Sequence, residues 1–323
     1  MIALPLCGRR TAKVPEKDVR MTLRQLQYID TIAKKGSLTA AAQALFVSQP
    51  SLTASLHELE AELGITIFVR SRKGISLTPE GETFLGYARQ ILDQVSLVEE
   101  HYSGTETVRR HFCVSSQHYS FAVEAFVALL RDFGGPRYEF HMRETQTYDI
   151  IRDVAAVRSE IGVLYLNRFN EAVLRRTLAE NGLVFTRLFR ASPHVFLGAG
   201  NPLAKKKAVT MDDLRAYPRL SYEQGEHNSF YFAEEMQSTV ESEQEIVVCD
   251  RATLFNLLIG MNGYTICSGV INADLNGTEI VSRPLLVDDY MDVGYILPKD
   301  QKTGELTAAY IQNLLCYTQN AEI

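Results

Sequence analysis

Two helical patterns lie between Gly36 and Gly64, with only Phe46-Val47-Ser48-Gln49 to part them. So short a break leaves room for a tight turn and little else, which is the layout of a helix-turn-helix. The first pattern, Leu38 to Leu45, is rich in alanine, and small residues let two helices approach closely. The second opens with Ser48 as a good N-cap and Pro50 in the first turn. It carries Leu52, Leu56, Leu59 and Leu63 as one buried stripe. A helix over 23–35 precedes the pair, with Leu26, Ile29 and Ala33 at helical spacing and Gly36 at its C-cap. Ser37 or Thr39 caps the next helix.

Opposite the leucine stripe lie Pro50, Ala54 and His57, flanked by Ser51 and Thr53. This face is small, polar and uncharged at its start, while Glu58, Glu60 and Glu62 crowd its end. Only the start can approach a polyanion without repulsion, and free N–H groups there favour phosphate. Beyond Gly64, β-prone runs at 65–69 and 75–77 enclose Arg70-Ser71-Arg72-Lys73-Gly74. They read as a hairpin whose Arg70, Arg72 and Lys73 can grip phosphate as a wing. Charge is uneven in the same sense: residues 1–79 hold 11 Lys+Arg against 6 Asp+Glu, although the whole chain carries −6. Pattern alone leaves open a small structural core with a solvated basic turn.

The residues themselves carry a resemblance. Leu23-Arg24-Gln25-Leu26, Gly36-Ser37-Leu38-Thr39-Ala40-Ala41-Ala42, Val47-Ser48-Gln49-Pro50-Ser51-Leu52, Leu63-Gly64, Phe68-Val69-Arg70 and Leu77-Thr78-Pro79-Glu80-Gly81 closely resemble the N-terminal domain of LysR-type bacterial transcriptional regulators. The likeness runs without a gap from about Met21 to Tyr102. It implies that Gln49, Pro50 and Thr53 face base edges of double-stranded operator DNA, with Ser48, Ser51 and His57 beside them, and that Arg70 and Arg72 hold the backbone. Many members have Arg where this chain has Ala54, and Gln where it has Ser55. Base readout then leans on Gln49, His57 and DNA shape. The family's usual start coincides with Met21, so residues 1–20 read as a disordered extension. They contain no sustained apolar run of the kind a secretory signal needs.

Thr78, Pro79, Glu80 and Glu82 suit the start of a long helix. Leu77, Gly81, Phe84, Ala88, Ile91, Val95, Val98 and Tyr102 then step by alternate fours and threes, the 3.5-residue repeat of a coiled-coil seam. Phe84, Ile91, Val95 and Val98 are the expected dimer contacts; a helix laid along the flank of the body is the alternative. The resemblance agrees with a dimer and extends it to a tetramer, with RNA polymerase as a further partner.

After a hinge at Ser103-Gly104-Thr105, strands and helices alternate, which argues an α/β body with a mainly parallel sheet. Strands are expected at 112–114, 138–142, 161–166, 194–197, 220–222, 246–248, 264–267 and 293–297. Helices are expected at 121–130, 150–157, 211–216, 230–237, 253–261 and 305–318. The order of elements, Asn201-Pro202-Leu203-Ala204 and Asn262-Gly263-Tyr264 resemble the family's effector domain, a two-lobed fold like a periplasmic binding protein. The expected fold is thus an all-α winged helix-turn-helix at 21–79, a linker helix at 80–104 and an α/β two-lobed effector domain at 105–323. Lobe I takes about 105–187 and 288–323, and lobe II about 188–287.

A small polar effector, anionic in character, is expected between the lobes. Ser115-Ser116-Gln117 and Thr145-Gln146-Thr147 each follow a strand and open a helix, which sets hydroxyls beside free N–H groups. Tyr165 joins them, and lobe II would add Ser221, Tyr222, Gln224, Asn228 and Tyr231. Glu223 would instead suit an amino group on the ligand. The plain alternative is that these hydroxyls only cap helices.

Other chemistries find little support. Five cysteines (Cys7, Cys113, Cys249, Cys267, Cys316) include no CxxC pair, and seven histidines make no HExxH or HxxxH pair, so no metal site or cofactor is expected. No GxSxG, P-loop or GxGxxG appears, and an enzyme is not expected. A redox-sensing regulator using Cys249 and Cys267 is the second reading, although only Arg251 stands near to lower a thiol pKa. No run is long enough to span a bilayer, and scattered cysteines suit a reducing cytoplasm.

Overall fold

The computed structural model describes residues 21–71, 74–103, 110–135, 138–227, 229–271, 277–299 and 302–318. Residues 1–20, the hinge residues after Ser103, Arg72, Lys73 and Asn228 lie outside the described residues. The chain divides into two units, Met1–Leu92 and Asp93–Ile323.

In the first unit, local capping sets the helix ends. Thr22 opens α1 (Leu23–Lys35) with a capping box to Gln25, and Gly36 closes it at φ 61°. Ser37, rather than Thr39, caps α2 (Leu38–Ala44). Ser48 accepts from the Ser51 N–H to start α3 (Gln49–Leu63), which ends at Gly64 with φ 72°. Strands β1 (Phe68–Ser71) and β2 (Gly74–Leu77) pair antiparallel, Phe68 opposite Leu77. Ile29, Ile32, Leu38, Ala41, Leu52, Leu56, Leu59, Ile67, Phe68 and Leu85 form the core. The last of these comes from α4 (Pro79–Ser103), whose first turns complete the head.

That start of α4 is tightly set. Thr78 Oγ1 accepts from Gly81 N at 2.8 Å, and Gly81 lies so close to β1 that a Cβ there would meet the Ile67 carbonyl oxygen at 2.1 Å. Arg89 bonds Asp30 of α1 at 2.8 Å. Gly81 and Ala88 are buried and Phe84 packs against the head core, so the first half of the expected seam is used inside the head. Further along, Ile91 is 37% and Val98 58% exposed, with Val95 half-buried.

The second unit holds two five-stranded sheets. One has the order β4-β3-β5-β12-β6, the other β11-β7-β10-β8-β9. Their strands are β3 (Arg110–Ser116), β4 (Tyr138–Glu144), β5 (Ile161–Leu166), β6 (Leu183–Ala191), β7 (His194–Gly198), β8 (Arg219–Tyr222), β9 (Glu245–Val248), β10 (Tyr264–Cys267), β11 (Ile280–Pro284) and β12 (Met291–Pro298). Both sheets are mixed, not mainly parallel. The chain leaves the first sheet after β6 and returns on β12, so β12 runs antiparallel to both β5 and β6. In the second sheet β7 runs antiparallel to β10 and β11. Helices α5 (Ser120–Phe133), α6 (Thr147–Ala155), α7 (Glu171–Glu180), α8 (Met211–Leu214), α9 (Arg251–Gly260) and α10 (Glu305–Thr318) cover them. The expected helix at 230–237 does not form. That stretch is a series of turns, because Glu234 and Glu235 point inward to bond other segments. No helix among the described residues is long and apolar enough to cross a membrane.

Candidate nucleic-acid interface and ligand cleft

The exposed rim of the head is the start of α3. Ser48, Gln49, Pro50, Ser51 and His57 are all exposed, and Thr53 is half-buried. Ser48 Oγ lies 2.8 Å from Ser51 Oγ, and Gln49 Nε2 donates to Thr53 Oγ1 at 3.4 Å. The Gln49–Thr53 bond sits at the limit of hydrogen-bond length, so the amide is held lightly and is free to turn toward another partner. No acidic residue occupies the first turn. Arg70 is exposed on β1, opposite Ile75.

Glu60 departs from the expected acidic end of this face. Its Oε1 accepts from Ile67 N at 2.7 Å and Phe68 N at 3.2 Å. The carboxylate thus ties α3 to the wing and does not oppose a polyanion. Sequence periodicity put it on the outer face because its partners lie beyond the helix end.

In the second unit, the tips of β3, β4 and β8 meet where the sheets face each other. Ser116, Gln117 and Thr147 are fully buried. Gln117 Nε2 donates to Thr147 Oγ1 at 2.6 Å, and its Oε1 accepts from Tyr119 OH at 2.9 Å and Tyr165 N at 3.1 Å. Ser116 Oγ donates to the Gln117 carbonyl, and Thr145 N donates to the Ser116 carbonyl at 3.0 Å. Thr147 N, at the head of α6, donates to Gln224 Oε1 at 3.1 Å, and Tyr165 OH donates to the Ala233 carbonyl at 3.2 Å. These last two bonds join the sheets' two sides. Gly225, at φ 55°, packs against the Gln146 side chain so closely that a Cβ would lie 2.5 Å from its Oε1.

Three expected residues stand apart. Ser115 turns to the other face of β3, as strand alternation requires, and its hydroxyl donates to Asp153 and meets Ser159, each at 2.8 Å. Ser221 reaches Glu245 at 3.3 Å, away from the junction. Tyr231 stacks on Phe169 with ring centroids 4.7 Å apart and is 37% exposed.

A cavity of about 40 Å³ opens beside the junction, space for about three waters. Among the described residues expected at the effector site, Tyr222 alone lines it, and Cys267 of the redox reading lines it too. The other polar walls are His118, Glu234, Glu235, Arg251, Thr265 and Ser268, and Phe196, Phe255 and Ile266 supply apolar ones. His118 stacks on Tyr222 at 3.9 Å and 5°, and its Nδ1 lies 2.9 Å from Glu234 Oε2. Burial opposes charge on His118, but the Glu234 carboxylate outweighs it and holds the imidazole pKa above its ordinary value. Arg251 lies 3.2 Å from Glu144. Burial pushes Glu144 up despite Arg251. Glu235 accepts from Tyr222 N at 2.9 Å, and burial with Glu234 alongside lifts its pKa to about 8.

These contacts revise the expectation of an anionic ligand. An oxyanion does sit at the turn before α5, accepting His118 N at 3.0 Å, but it is the chain's own Glu234. The corresponding N–H of α6 is taken by Gln224. No spare N–H remains at Thr147, and the cavity itself carries two buried carboxylates.

Neither Cys249 nor Cys267 is primed as a thiolate. Burial pushes Cys267 up to about 12, and the bond to Glu223 holds exposed Cys249 above its usual range. No cluster of three or more metal-ligating side chains occurs among the described residues.

Residues 23–82 match the family described as bacterial regulatory helix-turn-helix protein, lysR family, and residues 118–318 match the LysR substrate binding domain. Among curated relatives, the regulator TfdS of Cupriavidus pinatubonensis is 45% identical over 73 residues, 23% of this chain and 25% of its own length. AlsR of Bacillus subtilis is 27% identical over 208 residues, 61% of this chain and 63% of its own length. The chain therefore spans a quarter to three fifths of the lengths of these relatives. In three dimensions it is similar to full-length OxyR from Pseudomonas aeruginosa, with TM-score 0.58 at 20% identity over 91% of this chain and 98% of that one. At that identity the likeness speaks for the fold alone.

Proposed function

The chain belongs to the LysR family of bacterial helix-turn-helix regulators, and from that premise we propose that it binds operator DNA in the cytoplasm and answers to a small polar effector held between the two sheets of its second unit. The carrying observation is the start of α3: an exposed, uncharged rim of Ser48, Gln49, Pro50 and Ser51 with no acidic side chain in its first turn. Gln49 is the base reader, since its loosely held amide can offer donor and acceptor together to adenine. Thr53 positions that amide, and Arg70 of the wing contacts phosphate. The junction around Gln117, Thr147 and Gln224, with the cavity at Tyr222, is the effector cleft, and a dimer forms through Ile91, Val95 and Val98. The regulator names of its relatives support a binding role over catalysis. The raised thiols at Cys249 and Cys267 give no support to redox sensing.

Gel-shift titration tests the reading. Gln49→Ala should lose about 1–3 kcal/mol of operator affinity and relax preference at one base pair. Arg70→Ala should weaken all DNA alike and reduce the salt slope by about 1. An unchanged operator preference in Gln49→Ala would show that α3 is not the reader.

A further inference from the structure

Glu235 is the side chain that the contacts above leave least explained. It is 4% exposed, and Glu234 beside it is 7% exposed. Both line the cavity at Tyr222. Glu234 has His118 as its cation. Glu235 makes no ion pair among the described residues: its hydrogen bond to another residue is the one from Tyr222 N, and Arg219 favours its charge only from beyond contact distance. The neighbouring cations are engaged elsewhere. Arg251 pairs with Glu144, and Arg219 donates to the carbonyls of Met236, Gln237 and Val240. A carboxylate buried without a cation is costly to keep, and a second carboxylate next to it raises the cost. Folding alone would favour Gln at 235, which could accept from Tyr222 N just as well.

We propose that Glu235, with Glu234, is the anchor for the ammonium group of a small amine effector. The inference rests on the cavity belonging to the effector cleft. Thr265 and Ser268 add hydroxyl oxygens to the same wall, so an ammonium would find several acceptors. Phe196, Phe255 and Ile266 face the remaining space and suit a short apolar body on the amine. An anion, by contrast, would have to displace Glu234 from His118 and then share the cavity with two carboxylates.

The test is thermal shift of the full chain with two amines small enough for this space (methylamine, ethylamine) and the carboxylates of matching shape (acetate, propionate). At least one amine should raise Tm, with the matched carboxylate giving a smaller response. Glu235→Gln should weaken that amine roughly 10- to 100-fold, the loss of one charge-assisted contact. The same variant without ligand should melt no lower than wild type, because the cost of burying an ionisable carboxyl without an ion pair has gone; a merely structural glutamate would not behave so. Val270→Phe, which narrows the cavity from another wall, should lose the amine response independently of Glu235. No response to either amine, a larger response to the carboxylates, or an amine response kept in Glu235→Gln overturns the assignment. Operator gel shifts run on the same samples separate the two readings. Intact DNA binding with a failed amine response removes only the ligand class, and lost wild-type DNA binding removes the regulator reading itself.

Discussion

Gly81→Ala should be among the most damaging single-methyl changes in the head. The added Cβ would stand 2.1 Å from Ile67 O, 2.9 Å from its carbonyl carbon and 3.0 Å from its Cα. All three are backbone atoms, so no rotamer can relieve the contact. Separation to ordinary van der Waals distance requires α4 and the start of β1 to part by about 1 Å. Two bonds lie across that gap, Thr78 N to the Ile67 carbonyl at 3.0 Å and Thr78 Oγ1 to the Thr66 carbonyl at 2.5 Å, and the N-cap bond from Gly81 N to Thr78 Oγ1 at 2.8 Å depends on the same threonine. Overpacking costs about 1–3 kcal/mol and a lost N-cap about 1 more. A total of about 2–4 kcal/mol is a large part of the stability of a small domain. Urea denaturation followed by circular dichroism measures the loss, and operator gel shifts report whether Arg70 has moved with the wing. A variant within about 0.5 kcal/mol of wild type would mean that α4 does not press on β1 as described.

Three further outcomes are expected. Ile91→Glu with Val98→Glu puts charge on the exposed apolar stretch of α4 and should halve the sedimenting mass; a double variant that sediments like wild type removes this dimer contact. Stability should fall as pH rises from about 5 to 8. Glu235 holds its proton to about 8 when folded and near 4.5 when unfolded, and His118 is likewise raised, so both contributions are complete at low pH and are lost on deprotonation. The Glu235 share is on the order of 3 kcal/mol, and Glu235→Gln should flatten the profile; an equally steep profile in the variant refutes it. Cys249→Ser and Cys267→Ser should each leave the response of operator binding to peroxide unchanged, and a response present in wild type but absent in either variant would restore the redox reading.

What the sequence revealed follows how local the signals are. Ser48, Pro50 and Gly64 act within one turn, so α3 was legible to the residue at its start. The leucine stripe pointed correctly to the core, yet the same periodicity placed Glu60 outside, because the N–H donors to its carboxylate lie seven and eight residues away. The stretch at 230–237 has good helix formers, but Glu234 finds His118 at a separation of 116 residues. Two adjacent carboxylates between Phe232 and Met236 were the signal available for a buried acidic site. Strand β6 carries Arg187 and Arg190, which obscures its pattern; Asp292 on β12 accepts from Arg190 at 2.7 Å and makes those charges tolerable. Ser115 and Ser116 were read together, and the period of two in β3 sends their hydroxyls to opposite faces.

At the cleft the two sheets' sides meet through polar bonds, Thr147 to Gln224, Tyr165 to Ala233 and His118 to Glu234, and behind these lies an apolar core drawn from both sheets. Polar contacts of this kind exchange for water at little net cost, while apolar cores do not. Changes at Gln224, Glu234 or Glu235 can therefore alter what the cleft accepts without unfolding the scaffold that presents it. Ligand preference and foldability are separable traits in this chain, so a lineage could trade one effector for another by a handful of substitutions and keep the same DNA reader.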